Sequence, residues 1–166
     1  MKDGMTQMLC NKKRYLLILN AFVVLTMICC TGCGNKTAIT TEKFSSTMQE
    51  KGFYITDVTE QFSAYEFVNA VTIATEPSGN YQIEFYDLAD TENAIASFNT
   101  NKETFEQYKG SSSTESSVDV NNHSSYSLTS NGKYMCVSRI DNTMIYVDVP
   151  ENFKKEVKEI IDKLGY

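Results

Sequence analysis

Three of the five cysteines lie within five positions near the start of the chain: Cys29, Cys30 and Cys33. Thiols at such short spacing can bind zinc, form a redox-active disulfide or accept a covalent modification. A structural zinc site needs four ligands, usually as two spaced pairs, and the other available ligands are Cys10, Cys136 and the single His123. These residues do not make a second pair, so we expect neither a metal site nor a redox pair, and no bound cofactor.

The cysteines end a segment with the layout of an export signal. A basic cluster, "NKKRY", precedes sixteen residues, "YLLILNAFVVLTMICC", of which only Asn20 and Thr26 are clearly polar. The small residues "TGCG" follow, and this order of basic, apolar and small residues is typical of a secretory signal peptide. A membrane-spanning helix is the competing interpretation, but it needs about 20 apolar residues and flanking charges on the far side. We therefore predict a signal peptide over residues 1–32.

The six residues "CTGCGN", Cys30 to Asn35, resemble the lipobox of bacterial prolipoproteins. The resemblance implies cleavage between Gly32 and Cys33 and attachment of a diacylglycerol to Cys33, which becomes the new N-terminus. Cys30 stands where the family usually has leucine. Several acyl chains on one residue hold a soluble domain at a membrane persistently, whereas a single chain anchors it only marginally. The resemblance implies a lipid-anchored protein at the extracytoplasmic face of the cell membrane. Resemblance to lipoproteins with a glycine after the lipidated cysteine, and a composition rich in Lys, Asn and Ile, imply a Gram-positive bacterium.

The chain that follows Cys33 is acidic. Four of the 15 basic residues and one of the 21 acidic residues precede it, which leaves 11 basic and 20 acidic residues and a net charge of −9. An acidic surface without a basic stripe argues against binding to nucleic acid or to anionic lipid headgroups. About 130 residues suffice for one hydrophobic core, and a single cysteine, Cys136, excludes a disulfide framework. We expect a tether over residues 33–39 and one monomeric domain over residues 40–166.

Hydrophobic periodicity predicts three helices in this domain, over residues 40–52, 90–109 and 150–165. Alternation predicts a hairpin formed by "EFVNAVTIATEP" and "YQIEFYDL", whose apolar face the second helix can cover. Three further strands, "SYSLTS", "KYMCVSRI" and "TMIYVDV", surround the turn Asn131-Gly132, the strongest short hairpin signal in the chain. The polar residues 110–125 read as a surface loop. The predicted fold class is α+β, an antiparallel sheet of about five strands with helices packed on one face, in the order α-ββ-α-βββ-α.

Residues that could support catalysis are scattered in this domain. His123 lies in the predicted loop, where nothing positions an imidazole beside a hydroxyl and an orienting acid. Cys136 lies in a predicted strand between methionine and valine, a setting typical of a packed rather than a reactive thiol. The acids of "DLADTEN" lack the alternating spacing of a calcium loop and suit helix capping better. We therefore expect no metal ion here.

One cluster, "SRIDNT", combines the only arginine of the domain, Arg139, with Asp141 and Asn142 at a strand turn. An arginine can bind a carboxylate or a phosphate with two parallel hydrogen bonds, and an ion pair with Asp141 that stabilises the turn is the simpler alternative. Two functions stay open. The first is a non-catalytic binding or interaction module at the cell surface with an unidentified protein or envelope partner, which the aromatic residues of "FYITDV" and "QFSAYEF" favour. The alternative is an envelope-acting enzyme built from scattered acids and Arg139.

Overall fold

The computed structural model describes residues 34–166. The chain divides into two units, Met1–Gly34 and Asn35–Tyr166, and all the helices and strands given below belong to the second. The predicted signal peptide, its cleavage site at Gly32 and Cys33 and the lipidation of Cys33 lie outside the described residues. No helix between residues 34 and 166 combines the length and the apolar character that crossing a membrane requires.

The described residues form three α-helices and seven strands. The helices are α1 (Thr41–Glu50), α2 (Thr91–Glu106) and α3 (Lys154–Leu164). The strands are β1 (Tyr54–Asp57), β2 (Val68–Thr75), β3 (Gln82–Leu88), β4 (Thr114–Val120), β5 (His123–Ser130), β6 (Lys133–Ile140) and β7 (Thr143–Pro150). Short 3₁₀ turns cover Thr59–Phe62 and Glu151–Phe153. The element order is thus α-βββ-α-ββββ-α.

All seven strands form one antiparallel sheet in the order β1-β2-β3-β7-β6-β5-β4. Two meanders, β1 to β3 and β4 to β7, join where β3 pairs with β7, for example at Phe85 and Ile145. The β5–β6 turn is Asn131-Gly132, and its φ angles of 52° and 75° suit this residue pair. The β4–β5 and β6–β7 turns begin with asparagine and aspartate at positive φ, a conformation that these residues tolerate better than most.

One face of the sheet packs against α1 and α3. Phe44 and Met48 of α1 are fully buried, and Phe44 stacks on Phe85 of β3 with 5.0 Å between ring centroids. Four residues of α3 are buried on the same face: Val157, Ile160, Ile161 and Leu164. Thr40 caps α1, and Gly165, with a φ of 91°, ends α3.

The other face of the sheet packs against α2. Two buried residues of this helix, Phe98 and Phe105, share a cluster with apolar residues of β5, β6 and β7: Tyr126, Leu128, Met135, Val137 and Met144. The predictions that all helices pack on one face and that the second helix covers the apolar face of the hairpin are therefore wrong. The physical reason lies in β6, where every residue from Tyr134 to Ile140 is buried, so both of its faces need a cover.

The sheet has seven strands rather than about five. β1 is a four-residue strand at one edge, and β4 lies at the other edge within residues 110–125, which we predicted to be a loop. Every residue of β4 is exposed, including Val118 and Val120, so pairing with β5 rather than burial of an apolar face creates this strand. The coarser prediction of an α+β fold built on an antiparallel sheet is confirmed.

Candidate functional site

Arg139, a predicted binding residue, is the second-last residue of β6, alternates with Met135 and Val137 on the α2 face, and is 4% exposed. Its Nη1 donates to the carbonyl oxygens of Asn122 and Asp141, both at 3.2 Å, and its Nη2 donates to Ser124 Oγ at 2.9 Å. Its Nε is buried without a hydrogen-bond partner, and no carboxylate within residues 34–166 lies at ion-pair distance from the guanidinium. The side chain therefore joins the β4–β5 turn to the β6–β7 turn.

The other two predicted binding residues make separate contacts. Both carboxylate oxygens of Asp141 accept from Asn122 Nδ2 at 3.1 Å. The side-chain amide of Asn142 donates instead to Asp87 Oδ1 at 3.1 Å, at the end of β3. Arg139 contacts Asp141 through its main-chain oxygen and not through its carboxylate. The three residues thus share one turn but do not surround one ligand-sized space.

Asn122 also binds the start of the domain. Its Oδ1 accepts from the main-chain N–H of Lys36 at 2.9 Å, and its Nδ2 donates to the main-chain oxygen of Lys36 at 2.7 Å. The side-chain amide therefore pairs with both main-chain groups of one residue. Ala38 and Ile39, which follow, pack against the core. Residues 36–39 of the predicted tether are therefore bound to the domain.

His123 and Cys136 do not form a reactive site. The His123 Nδ1 is buried without a hydrogen-bond partner, and burial lowers the pKa of the imidazole. Cys136 is 3% exposed, and burial raises the pKa of its thiol to about 11. Such a thiol stays protonated at neutral pH and is a poor nucleophile. In the part of the chain that the structure describes, no group of three or more His, Cys, Asp or Glu residues could hold a metal ion.

An apolar cavity of about 200 Å³ lies between the 3₁₀ turn before β2, the sheet and α2, and we call it the aromatic groove. Its apolar lining consists mainly of six side chains: Phe62, Tyr65, Phe67, Tyr86, Leu88 and Met144. The ring centroids of Phe62 and Tyr86 are 5.9 Å apart, and those of Tyr65 and Phe67 are 5.7 Å apart, both as edge contacts. Tyr65 and Phe67 nevertheless remain 53% and 37% exposed. The groove therefore offers supported aromatic rings to a ligand from solution.

A second cavity, of about 570 Å³, adjoins the aromatic groove and shares Tyr65 with it. We call it the acidic cavity because Asp57, Glu60 and Glu66 line it. Among the described residues, no lysine or arginine lies at ion-pair distance from these three carboxylates. Hydrogen bonds from Thr59 lower the pKa of Asp57, so this carboxylate is charged at neutral pH. The cavity thus carries negative charge that the domain itself does not neutralise.

Sequence reasoning identified one wall of this pair of cavities. It singled out the aromatic residues of "QFSAYEF", residues 61–67, which line the aromatic groove. It missed the opposite wall, where Asn101 of α2 and Met144 of β7 face them, because periodicity indicates which side of an element is buried but not its neighbour. Comparisons of the chain with protein-family models, with curated proteins and with solved structures find no match.

Proposed function

We propose that this protein is a membrane-anchored extracytoplasmic module that binds peptide segments in which a large apolar residue stands next to a basic one. The observation that carries the proposal is the junction of the aromatic groove and the acidic cavity at Tyr65. The anchor is the lipid on Cys33 that the prolipoprotein resemblance implies, after cleavage at Gly32. It holds the domain at the outer face of a Gram-positive cell membrane.

The aromatic groove suits one large apolar side chain. Its walls come from the 3₁₀ turn, the sheet and α2, and a volume of about 200 Å³ limits what it can enclose. Burial of one leucine or phenylalanine side chain stabilises a complex by roughly 1.5–3 kcal/mol. Ser97 and Asn101 on the α2 wall can hydrogen-bond to the polar groups beside that side chain.

The acidic cavity suits the lysine or arginine next to that apolar residue. An exposed ion pair contributes about 0.2–1 kcal/mol, and a cation over the ring of Tyr65 contributes about 0.5–1 kcal/mol. With the apolar side chain the total is about 2–5 kcal/mol, which corresponds to a Kd between about 30 mM and 0.2 mM before association costs. We therefore expect weak, salt-sensitive binding of a single motif.

The absence of tryptophan from the chain allows a direct test. A peptide with one tryptophan flanked by lysines is titrated with residues 34–166, and its fluorescence reports binding. Tyr65→Ser should weaken binding about tenfold, because it removes a ring from both cavities. Tyr54→Ser is the matched control, since Tyr54 is 66% exposed and lines neither cavity. Equal losses in the two variants would contradict the groove as the binding site.

The binding of the basic residue in the acidic cavity is tested with separate variants. Glu66→Gln removes one carboxylate of the acidic cavity and should weaken binding severalfold and reduce its salt dependence. Glu50→Gln, at the exposed end of α1, removes the same charge away from both cavities and should change little. A peptide whose lysines are replaced by glutamines should bind more weakly than the original, and equal binding of the two peptides would refute the role of charge.

The alternative, an envelope-acting enzyme built on Arg139 and scattered acids, stays a prediction. Arg139 lines neither the aromatic groove nor the acidic cavity. Its bound N–H groups donate to oxygens of two neighbouring turns. No contact among residues 34–166 favours this function over the binding module.

A further inference from the structure

We infer that the domain presents the aromatic groove to the membrane surface, and that its ligand is a cationic amphipathic peptide lying among the lipid headgroups. This orientation rests on the proposed lipid anchor, and the choice of ligand deepens the proposed peptide binding. Three features carry it: the length of the free chain after Cys33, the end of the sheet to which that chain is bound, and the charge at that end.

The free chain between the anchor and the domain is short. The main chain of Lys36 is held on both sides by Asn122, at 2.9 and 2.7 Å, and the residues that follow pack against the core. Gly34 and Asn35 alone separate Lys36 from Cys33. Because consecutive Cα atoms are about 3.8 Å apart, the Cα atoms of Cys33 and Lys36 lie within about 11 Å of each other. We call the connecting residues, Gly34 and Asn35, the leash.

The leash joins the domain at Lys36, and Lys36 is bound at the end of the sheet that carries the groove. Asn122 precedes β5, and its side chain donates to Asp141, which precedes β7. The neighbouring Asn142 donates to Asp87 near the end of β3, and Asn69 near the start of β2 donates to the same carboxylate at 3.2 Å. A series of hydrogen-bonded side chains thus connects Lys36 with the ends of β2 and β3. Residues at those ends line the aromatic groove.

The opposite end of the sheet lies beyond the reach of the leash. The seven steps between the first and last residues of β2, at about 3.3 Å each, separate the groove end from the β2–β3 turn at Ser78 and Gly79 by about 23 Å or more. A leash of about 11 Å is shorter than this strand. The domain therefore cannot turn over to bring the β2–β3 turn to the membrane while Lys36 stays bound.

Charge decides between a lipid and a peptide as the occupant of the groove. The groove end of the domain includes six acidic residues, Asp57, Glu60, Glu66, Asp87, Asp119 and Asp141, against two basic residues beside Asn122, Lys36 and the buried Arg139. An anionic lipid surface repels this charge, but it concentrates amphipathic peptides that have lysine or arginine on one face and apolar residues on the other. Such a peptide offers one side chain to each cavity, and its high local concentration compensates for weak intrinsic affinity.

The orientation is tested on the full lipidated chain in vesicles of phosphatidylcholine and phosphatidylglycerol. Ala64→Cys labels the groove end and Ser78→Cys labels the opposite end, and both positions are exposed. After processing, the remaining cysteines are the acylated Cys33 and the buried Cys136, so each label is unique. A headgroup-attached quencher should quench the label at position 64 much more strongly than the label at position 78. Equal quenching, or stronger quenching at position 78, would overturn the orientation.

Lengthening the leash supplies the matched control. About twelve glycine and serine residues inserted between Gly34 and Asn35 make a flexible linker that can reach around the domain. The difference in quenching between positions 64 and 78 should then largely disappear. If the difference persists unchanged, a contact other than the leash orients the domain and the inference fails.

The ligand is tested with the tryptophan-bearing cationic peptide on the same vesicles. The anchored protein should bind the vesicle-bound peptide at least tenfold more tightly than its long-leash variant does. If residues 34–166 bind the peptide in solution but the anchored protein does not bind it on vesicles, the membrane inference fails and the proposed function stands. If residues 34–166 bind no cationic peptide, the proposed function itself fails. Binding of residues 34–166 to vesicles that lack peptide would identify lipid as the occupant and overturn the choice of ligand.

Discussion

Replacement of Arg139 tests whether its buried charge stabilises the domain. The guanidinium donates three hydrogen bonds, which are typically worth about 1.5–3 kcal/mol each when one partner is charged. Burial of a cation without a carboxylate partner costs several kcal/mol in the opposite direction. Two of the three oxygens keep another hydrogen bond without Arg139, because Asn122 O also accepts from Asp141 N and Ser124 Oγ donates to Asp119. We therefore expect Arg139→Met to lower the free energy of unfolding by only about 1–2 kcal/mol.

Arg139→Lys should be the more damaging change, although it conserves the charge. A lysine ammonium is more strongly hydrated than a guanidinium and lacks the planar fork that reaches two turns at once. The charge therefore stays buried with fewer oxygens around it, and we expect a loss of about 3–5 kcal/mol. A buried lysine has a folded-state pKa below its unfolded value, so the unfolded chain binds more protons between those two values. The free energy of unfolding of Arg139→Lys should therefore rise towards that of Arg139→Met as the pH rises from neutral to about 9.

Urea unfolding of residues 34–166, followed by circular dichroism at both pH values, measures these differences. Lys133→Met is the matched control, since Lys133 is half exposed and pairs with Asp148 at 2.9 Å, and it should cost less than about 1 kcal/mol. A lysine variant more stable than the methionine variant would refute the reasoning. It would mean that an ammonium at this position finds enough hydrogen-bond acceptors to offset the cost of its burial.

Two further predictions concern the anchor and the alkaline limit of stability. Cys33→Ala should accumulate as an unprocessed precursor without lipid label in cells fed a labelled fatty acid, and continued labelling at Cys29 or Cys30 would exclude Cys33 as the attachment site. Burial raises the pKa of Cys136 to about 11 and that of Tyr146 to about 12. Both groups stabilise the fold below their unfolded pKa values, and this stability is lost as the pH rises through the folded values, so the unfolding temperature of residues 34–166 should fall between about pH 9 and 12. A constant unfolding temperature over that range would contradict the burial of these groups.

The edges of the sheet show why part of the fold was beyond sequence reasoning. β4 is stabilised by main-chain hydrogen bonds to β5, and its side chains are exposed on both faces. Main-chain pairing leaves no trace in residue type, and the alternation of Val118 and Val120 in "TESSVDV" is too short to distinguish an edge strand from a polar loop. The clustering of two hairpin turns around Asn122 and Arg139 was equally hidden, because those contacts depend on register across four strands, β4 to β7.

The layering of helices was predictable in principle. "KYMCVSRI" and "TMIYVDV" are nearly continuous apolar runs and not strict alternations, a pattern typical of strands that are buried on both faces. That pattern indicates helices on both sides of the sheet, and the structure has α2 opposite α1 and α3. The prediction of a single covered face follows the alternation of "YQIEFYDL", in which only one face is apolar, and does not allow for the continuous apolar runs of β6 and β7.

The sequence by itself determined the helices, the central hairpins and the α+β class, because these depend on local periodicity and on turn residues such as Asn131 and Gly132. It also identified exposed aromatic residues between positions 61 and 67. Only the tertiary structure decided that those residues face α2 across an apolar groove, that an acidic cavity adjoins it, and that Asn122 binds Lys36. These features join residues far apart in the chain, so they arise from strand order and register and not from any local pattern.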